Sequence, residues 1–427
     1  MAKPLAAVVM AGGIGTRMKS ATPKHLHPLL GRRMVDWVVE TARGAGVERI
    51  VVVASPSTRE LYDGVEVAVQ QEPRGTGDAV RCAREALGDF DGDVLVLNGD
   101  VPALRPETLI ALLETHSTAG AAATVLSFEP AGAAAYGRIV RDANGGLARI
   151  VEARDASPEE LALGEVNSGI YVFDAAKLWP ALDQLTPQNA QGELYVTDTL
   201  GILVGDGETC AVQCVADPLE ADGINTRVEL AAVAARLRDR INAGHMLAGV
   251  TIVDPSSTWI DAGVAIEPDV VIHPFTVIRG EVRIATGVEI GPFASIRTRT
   301  ELGPDAKVGT FVELKAASVG ARTKIPHLSY VGDAEIGEDT NVAAGNVTAN
   351  FSHIPGQPKK RTTIGSNVRT GVDNTFLAPV EIGDDTWIAP GTVITENVPP
   401  GSLAGFAPRQ VNKEGWVYEN HGNPDGD

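Results

Sequence analysis

The sequence predicts an α/β chain in two parts: a Rossmann-like domain of alternating strands and helices, then a parallel β-helix of hexapeptide repeats, with a helical linker between them. Three observations carry this. Short β-branched runs alternate with helical stretches from residue 4 to about residue 225, a glycine turn follows the first strand, and beyond residue 250 branched apolar residues recur at every sixth position. At 427 residues the chain exceeds one ordinary core, which makes two domains the expectation. Hydrophobic residues at 44% and charged residues at 21% describe a folded globular chain. A formal net charge of -19 argues against nucleic acid or an anionic membrane as partner, because like charges repel. Phosphorylated ligands therefore need local basic clusters. Arg17, Lys19 and Lys24 form one, and Lys359, Lys360 and Arg361 form another. No apolar run approaches membrane thickness and the chain enters a strand almost at once, so neither a transmembrane helix nor a signal peptide is expected, and a cytoplasmic location follows. Cys82, Cys210 and Cys214 are too few and too scattered for a disulfide framework or a zinc site, and read as buried small residues.

Residues 5–9 read as a buried parallel strand. Met10-Ala11-Gly12-Gly13-Ile14-Gly15-Thr16-Arg17-Met18 follows, then Pro23-Lys24, then a helical pattern from Met34. A strand, a glycine turn and a helix make a phosphate-binding layout, since Gly12, Gly13 and Gly15 let backbone N–H groups approach an anion with no Cβ in the way. Arg17 and Lys24 supply the charge that neutralises a triphosphate. The turn fits neither the Walker pattern nor a dinucleotide fingerprint. Residues 49–53, 94–97 and 122–126 read as further strands, with 37–44, 78–87 and 107–116 as helices between them, which implies a parallel sheet covered on both faces. In such sheets ligands bind outside the carboxyl ends of the strands. The third strand ends in Leu97-Asn98-Gly99-Asp100-Val101-Pro102, where Asp100 is placed to hold a hard cation such as Mg2+. The plainer alternative is an N-cap or Asx-turn carboxylate. A polar loop from Gln70 through Gly75, Thr76 and Asp78 enters a helix, and its Gln70 amide and backbone groups can read a nucleobase. Glu152 and Asn167 are single polar residues inside apolar strands, where hydrogen bonds to a polyol would satisfy them. Asn189-Ala190-Gln191-Gly192-Glu193 is a loop before a further element. Gly223-Ile224-Asn225-Thr226 precedes a long helical pattern, 227 to about 243, with Asn225 as its N-cap or first-turn residue in the plain account.

The period then changes. Ile260, Ile266, Ile272, Ile278, Ile284, Ile290, Ile296, Leu302, Val308 and Leu314 recur every sixth residue. After a one-residue slip come Val319, Ile325 and Val331, after another Ile336 and Val342, and last Ile364, Thr370, Phe376, Ile382, Ile388 and Ile394. A step of six is neither a helical nor an alternating-strand period; it is that of a parallel β-helix, whose branched residues point to the axis of a triangular coil. Polar residues that break the pattern are then the informative ones: Lys315, His327, Tyr330, Asn341 and Asn350, followed by the irregular segment 351–361. His327, in Pro326-His327-Leu328-Ser329-Tyr330, is a candidate general base because an imidazole ordinarily titrates near working pH. His25, His27, His116, His245, His273, His353 and His421 show no comparable company.

With both halves in view, the chain resembles the bacterial family of bifunctional N-acetylglucosamine-1-phosphate uridyltransferase / glucosamine-1-phosphate acetyltransferases over nearly its whole length. The series Gly-x-Gly-Thr-Arg-Met, Pro-Lys, Gly-Thr-Gly, Gly-Asp-Val-Pro, Tyr-Gly-Arg-Ile, Asn-Ala-Gln-Gly-Glu and His-Leu-x-Tyr-x-Gly-Asp-Ala-Glu-Ile-Gly carries the resemblance. It implies a nucleotidyltransferase domain over 1–226, a linker helix over 227–248 and a left-handed β-helix acetyltransferase domain over 249–427. In the first, a sugar-1-phosphate oxygen attacks the α-phosphorus of UTP and pyrophosphate leaves. By the matching motifs, Arg17 and Lys24 would stabilise the triphosphate, Ala11, Gly12, Gly13 and Gly15 would border it, Asp100 and Asn225 would hold Mg2+, Gln70, Gly75 and Thr76 would read uracil, and Gly137, Glu152 and Asn167 would hold the N-acetyl sugar. In the second, the amine of glucosamine 1-phosphate attacks the thioester of acetyl-CoA. His327 would take the proton, Arg297, Lys315 and Lys359 would bind the sugar phosphate, Tyr330 and Asn341 would place the sugar, and Ala344, Asn350 and Phe351 would lie near acetyl-CoA. The resemblance further implies a homotrimer with sites between subunits, and a product that feeds cell-wall precursors. The chain departs from the family pattern at Ile14 (a lysine), Asn98 (a tyrosine), Val372 (a serine), Phe351 (a tyrosine) and Ala407 (an arginine, with Arg409 close by). Two other readings stay open here: a relative that uses another sugar, nucleotide or acyl donor, and a β-helix that serves only as a trimerisation scaffold.

Overall fold

The computed structural model describes residues 3–13, 15–130, 132, 136–143, 145–352, 354–405, 412–414 and 416–421. Ile14, His353, Ala407, Arg409 and the side chain of His421 lie outside them. The chain divides into two compact units, Met1–Leu237 and Arg238–Asp427.

The first unit is built on a nine-stranded sheet. Its strands are β1 (Leu5–Met10), β2 (Arg49–Ala54), β3 (Glu66–Val69), β4 (Asp93–Asn98), β5 (Ala123–Phe128), the hairpin β6 (Arg138–Arg141) and β7 (Leu147–Val151), β8 (Val166–Asp174) and β9 (Cys210–Cys214). The main path runs β9-β5-β8-β4-β1-β2-β3. Runs such as Ile50-Val51-Val52-Val53 are apolar at every position because both faces of the sheet are covered. Alternate residues of β1 divide accordingly. Ala7 and Val9 join the core beneath α1 (Met34–Gly44) and α3 (Pro106–Ala119), while Ala6 and Val8 join the one beneath α2 (Thr76–Cys82) and α4 (Thr197–Gly205).

The expectation of a parallel sheet needs correction. β8 runs antiparallel to both β4 and β5. A parallel neighbour requires a long crossover, usually a helix, and the chain between β5 and β8 instead folds back through the β6–β7 hairpin. Apolar runs report burial, not direction. β3, four residues long, gave no such run and was not expected. The helix expected over 78–87 is two pieces, α2 and Arg84–Leu87, meeting at Ala83. Of the three cysteines only Cys210 is buried; Cys214 is exposed at the end of β9, on the sheet edge.

The parallel strands place the first cleft. From β1 the chain steps outward to β2 and β3, then returns to the other side of β1 as β4, so the carboxyl ends of β1 and β4 form the point where strand order reverses. Met10 and Asn98 sit side by side there. The long helix α5 (Arg227–Leu247) starts from a capping box in which Glu229 N donates to Thr226 Oγ1 and Thr226 N donates to Glu229 Oε2. Thr226, not Asn225, is therefore the N-cap, which leaves the Asn225 side chain for other partners.

The second unit is a parallel β-helix. Short strands stack on three faces: one carries Val271–Ile272, Glu289–Ile290 and Lys307–Thr310, the next Val277–Ile278 and Ser295–Ile296, the third Val282–Ile284 and Thr300–Leu302. All residues of the six-residue series are buried in its core except Ile266, which is partly so. A second, smaller buried position lies two residues before each, as in Val270, Thr276, Val282, Val288, Ala294 and Thr300. The two slips in period coincide with Glu313–Val319 and Tyr330–Ile336, strands that run from one face onto the next past Ala316 and Asp333 at positive φ. One residue fewer is needed where the corner is turned inside a strand.

Candidate active sites

In the first unit the expected residues converge. The turn after β1, the loop after β3 and the end of β4 line a cleft of about 380 Å3, and the β6–β8 side lines a neighbouring one of about 200 Å3. Thr76, Asn98, Asp100 and Asn225 belong to both walls. Gly12, Gly15, Arg17, Lys24 and Gln70 lie in the larger cleft; Gly137, Glu152 and Asn167 lie in the smaller. Gly15 has φ of 67°, and a Cβ on it would strike the Lys24 stem. Gly75, with φ of 114°, opens α2 where a Cβ would strike the Leu194 carbonyl.

Where the clefts meet, Lys24 Nζ donates to the Asp100 carboxylate and, at 2.8 Å, to Asn225 Oδ1, which also accepts from Arg17 Nη2 at 2.8 Å. Asp100 and Asn225 thus meet on one cationic centre. Two neutral-to-anionic oxygens facing a single point suit a hard divalent cation, which is content with few protein ligands when waters and phosphates complete its shell. Among the described residues no cluster of three or more His, Cys, Asp or Glu side chains forms a metal cage.

Gln70 is oriented by Gly75 and by Asp78, to which the sequence assigned no role. Its Nε2 donates to the Gly75 carbonyl at 3.1 Å and to Asp78 Oδ2 at 3.0 Å, which turns Oε1 toward Gly12. Asp78, buried, is in turn held by Arg81 at 2.7 Å. A carboxylate in the first turn of α2 was visible in the sequence, but its pairing with Gln70, eight residues earlier, was not. Thr76 Oγ1 accepts from Val196 N at 3.0 Å and ties the same loop to α4. His25 is a correction: sequence gave it no company, yet it is buried in the wall of the larger cleft. Burial lowers it to about 4 against the opposing pull of Asp100, so the ring is neutral.

In the smaller cleft, Asn167 donates to Tyr171 Oη at 2.7 Å and accepts from Gly169 N at 2.9 Å. Glu152 accepts from Thr197 Oγ1 at 3.2 Å, and a side chain at Gly137 would press on its carboxylate. Burial pushes the Glu152 carboxyl above its usual range, with Asp198 and Asp155 adding to the effect and Thr197 opposing it. A carboxyl raised by folding contributes stability that is full below the ordinary carboxylate range and is lost as pH rises through the raised value. Glu152→Gln should therefore flatten the fall of Tm between pH 4 and pH 7, gaining about 2–4 °C at pH 7 for each ~1 kcal/mol relieved. Parallel Tm profiles for the two proteins would contradict this.

In the second unit Arg297, Lys315, Tyr330, Asn350 and Lys359 come together. Strand register sets Lys315 beside Gly332 and Glu313 beside Tyr330, and Arg297 Nη1 donates to Glu313 Oε1 at 2.7 Å. The neighbouring Lys359, with Arg297 adding, holds the Lys315 ammonium below its usual range, which marks a place that favours an anion. Asp333, which sequence reasoning passed over, accepts from Asn350 Nδ2 at 2.5 Å and lies 3.9 Å from Lys359 Nζ. Asn350 Nδ2 also lies 3.4 Å from Tyr330 Oη. His327 ends the strand Lys324–His327 with its side chain exposed. Asn341 does not join this group. It bridges Lys324 and Arg369 on another face, in a depression with Arg322 and Asp339. Ala344 lies in the same coil as Asn341, its carbonyl bonded to Asp373 N, and Phe351 and Val372 are exposed.

Residues 7–197 match the MobA-like NTP transferase domain. The chain is 45% identical to the bifunctional protein GlmU of Streptomyces coelicolor and 46% identical to that of Streptomyces avermitilis, in each case over 97% of this chain and 94% of the relative. It is 43% identical to the bifunctional protein GlmU of Pelobacter propionicus over 96% of this chain and 98% of that protein. Two clefts sharing Asp100 and Asn225, a separate cationic group on a β-helix, and likeness that runs through both units together place the chain in the GlmU family of bifunctional proteins.

Proposed function

We propose that the chain makes UDP-N-acetylglucosamine in two steps, acetylating glucosamine 1-phosphate with acetyl-CoA and then coupling N-acetylglucosamine 1-phosphate to UTP with release of pyrophosphate. The observation that carries the second step is the pair of adjoining clefts with Lys24, Asp100 and Asn225 where they meet. UTP in the larger cleft has its triphosphate against Gly12, Gly13, Gly15 and Arg17, and its uracil against Gln70, whose Oε1 is free to accept from the ring N3–H. The sugar lies in the smaller cleft against Glu152, with Asn167 shaping the wall. The sugar phosphate oxygen then attacks the α-phosphorus, and the P–O bond to the pyrophosphate breaks. Lys24 and Arg17 offset the charge that gathers on the leaving group. Asp100 and Asn225 would hold Mg2+, which, when bound, supplies further neutralisation of phosphate charge.

In the acetyl step Arg297, Lys315 and Lys359 hold the sugar phosphate, His327 takes the proton as the amine attacks the thioester carbonyl, and coenzyme A leaves as the thiol. Asn341 stands apart from this group within one chain, and a homotrimer whose sites lie between subunits would bring a neighbour's copy to it. A column of exposed side chains, Phe275, Phe293 and Phe311 with ring centroids 4.8 and 5.3 Å apart, then Leu328 next to His327, supports such packing. We assign uridyl transfer to 1–226, acetyl transfer to 249–427 and the join to 227–248. Among the described residues no helix is long and apolar enough to cross a membrane, which accords with a cytoplasmic location.

The test is a coupled assay on the purified chain with glucosamine 1-phosphate, acetyl-CoA, UTP and Mg2+, following free thiol and pyrophosphate separately. Both are expected. Pyrophosphate only on direct addition of N-acetylglucosamine 1-phosphate, with no thiol beforehand, would refute the acetyl step and favour a scaffold or another acyl donor.

A further inference from the structure

His25 lies in the short helical turn Lys24–Leu26, directly after the lysine that meets Asp100, and is 6% exposed. Its imidazole faces the Ala11 backbone at the start of the glycine turn, while Nδ1 has no partner. The ring edge fills the gap between two turns: a Cβ built on Gly13 would lie 3.6 Å from its Cε1, and one built on Gly99 would lie 3.1 Å from its Cδ2. A residue needed only to fill this space would be apolar, because a buried ring nitrogen without a partner is costly. Ring size and a polar edge toward the Ala11 backbone are what the position uses.

We infer that His25 is a positioning residue for uridyl transfer: wedged between the Ala11–Gly13 turn after β1 and the Gly99–Asp100 turn after β4, it sets the distance between the backbone that receives the triphosphate and the carboxylate that faces Lys24. The inference rests on reading the larger cleft as the UTP site. His25 acts through Ala11, Lys24 and Asp100. Loosening it displaces reacting groups by fractions of an ångström, which lowers turnover more than it lowers binding.

The experiment compares wild type with His25→Leu, which keeps bulk without a donor, and His25→Gln, which keeps a donor, all in the full chain. Pyrophosphate release from UTP and N-acetylglucosamine 1-phosphate with Mg2+ gives kcat and KM; melting and thiol release from acetyl-CoA serve as controls. His25→Leu is expected to lose about tenfold to a hundredfold in kcat, with KM for UTP, Tm and thiol release near wild type, and His25→Gln to recover most of the loss. Should His25→Leu fail to fold, His25→Met takes its place against His25→Gln. Wild-type kcat in the apolar variant overturns the inference, as does a loss that follows Tm and is not recovered by glutamine. Absence of pyrophosphate release in wild type instead overturns the uridyl-transfer reading and takes this inference with it.

Discussion

Replacing His327 with alanine is expected to lower acetyl transfer by about 10^2–10^4-fold, the usual contribution of one positioned general base, while uridyl transfer stays at the wild-type rate. The amine of glucosamine 1-phosphate attacks as a free base and must shed a proton as the new C–N bond forms, so a proton acceptor within reach is required. His327 is exposed at a strand end, three residues before Tyr330, whose hydroxyl lies against Asn350. Removing an exposed imidazole leaves the coil intact, since the neighbouring inward residues Ile325 and Val331 are unaltered and buried. His327 and the Lys24–Asp100–Asn225 group belong to different compact units. Thiol release and pyrophosphate release, each supplied with its own substrates, separate the two activities. Unchanged thiol release would remove His327 from the chemistry, and loss of both activities in a chain that still melts normally would refute their independence.

How far the sequence could be read follows from how local each signal is. The six-residue period is a property of consecutive residues, so the β-helix and the larger of its two inward positions per repeat were legible, and even the slips in period marked strands turning a corner; the smaller inward position, filled by Val, Ala, Thr, Ser or Asn, has no such uniform residue type and was not. The glycine turn and Asp100 follow strand ends, which point them at the cleft, and the short helical turn Lys24–Leu26 brings Lys24 to meet them. Direction of β8 was not legible, because an apolar run is the same read in either sense. Asp78 and Asp333 were missed for a related reason. Each works by holding another residue, Gln70 in one case and Asn350 with Lys359 in the other, and such pairs are set by folding, not by spacing. Asn225 was legible as a site residue only through family resemblance. The structure supplies the physical reason, since Thr226 and Glu229 cap α5 and leave the Asn225 side chain to Lys24 and Arg17.

The second large effect concerns Asp100. Asp100→Asn should reduce uridyl transfer by about 10^2–10^3-fold, comparable to removing one preorganised group that stabilises transition-state charge, with acetyl transfer unaffected. Asparagine is the informative variant because alanine does two things at once. Lys24 is nearly buried, with 10% of its side chain exposed, and among the described residues Asp100 is the one acidic group paired with it. Deleting the carboxylate outright leaves that ammonium with the Asn225 oxygen alone, and an uncompensated buried charge costs about 3–5 kcal/mol. An amide of the same shape retains a partner for Lys24 Nζ through its oxygen, so the fold is kept while the negative charge is lost. If Asp100 and Asn225 hold Mg2+, the variant should also need more Mg2+ to bind UTP, a shift that calorimetry reads without turnover, and chelation of the metal should stop wild-type pyrophosphate release. Wild-type turnover and an unchanged Mg2+ requirement in Asp100→Asn would show that the cation is held elsewhere and that the pair with Lys24 is structural.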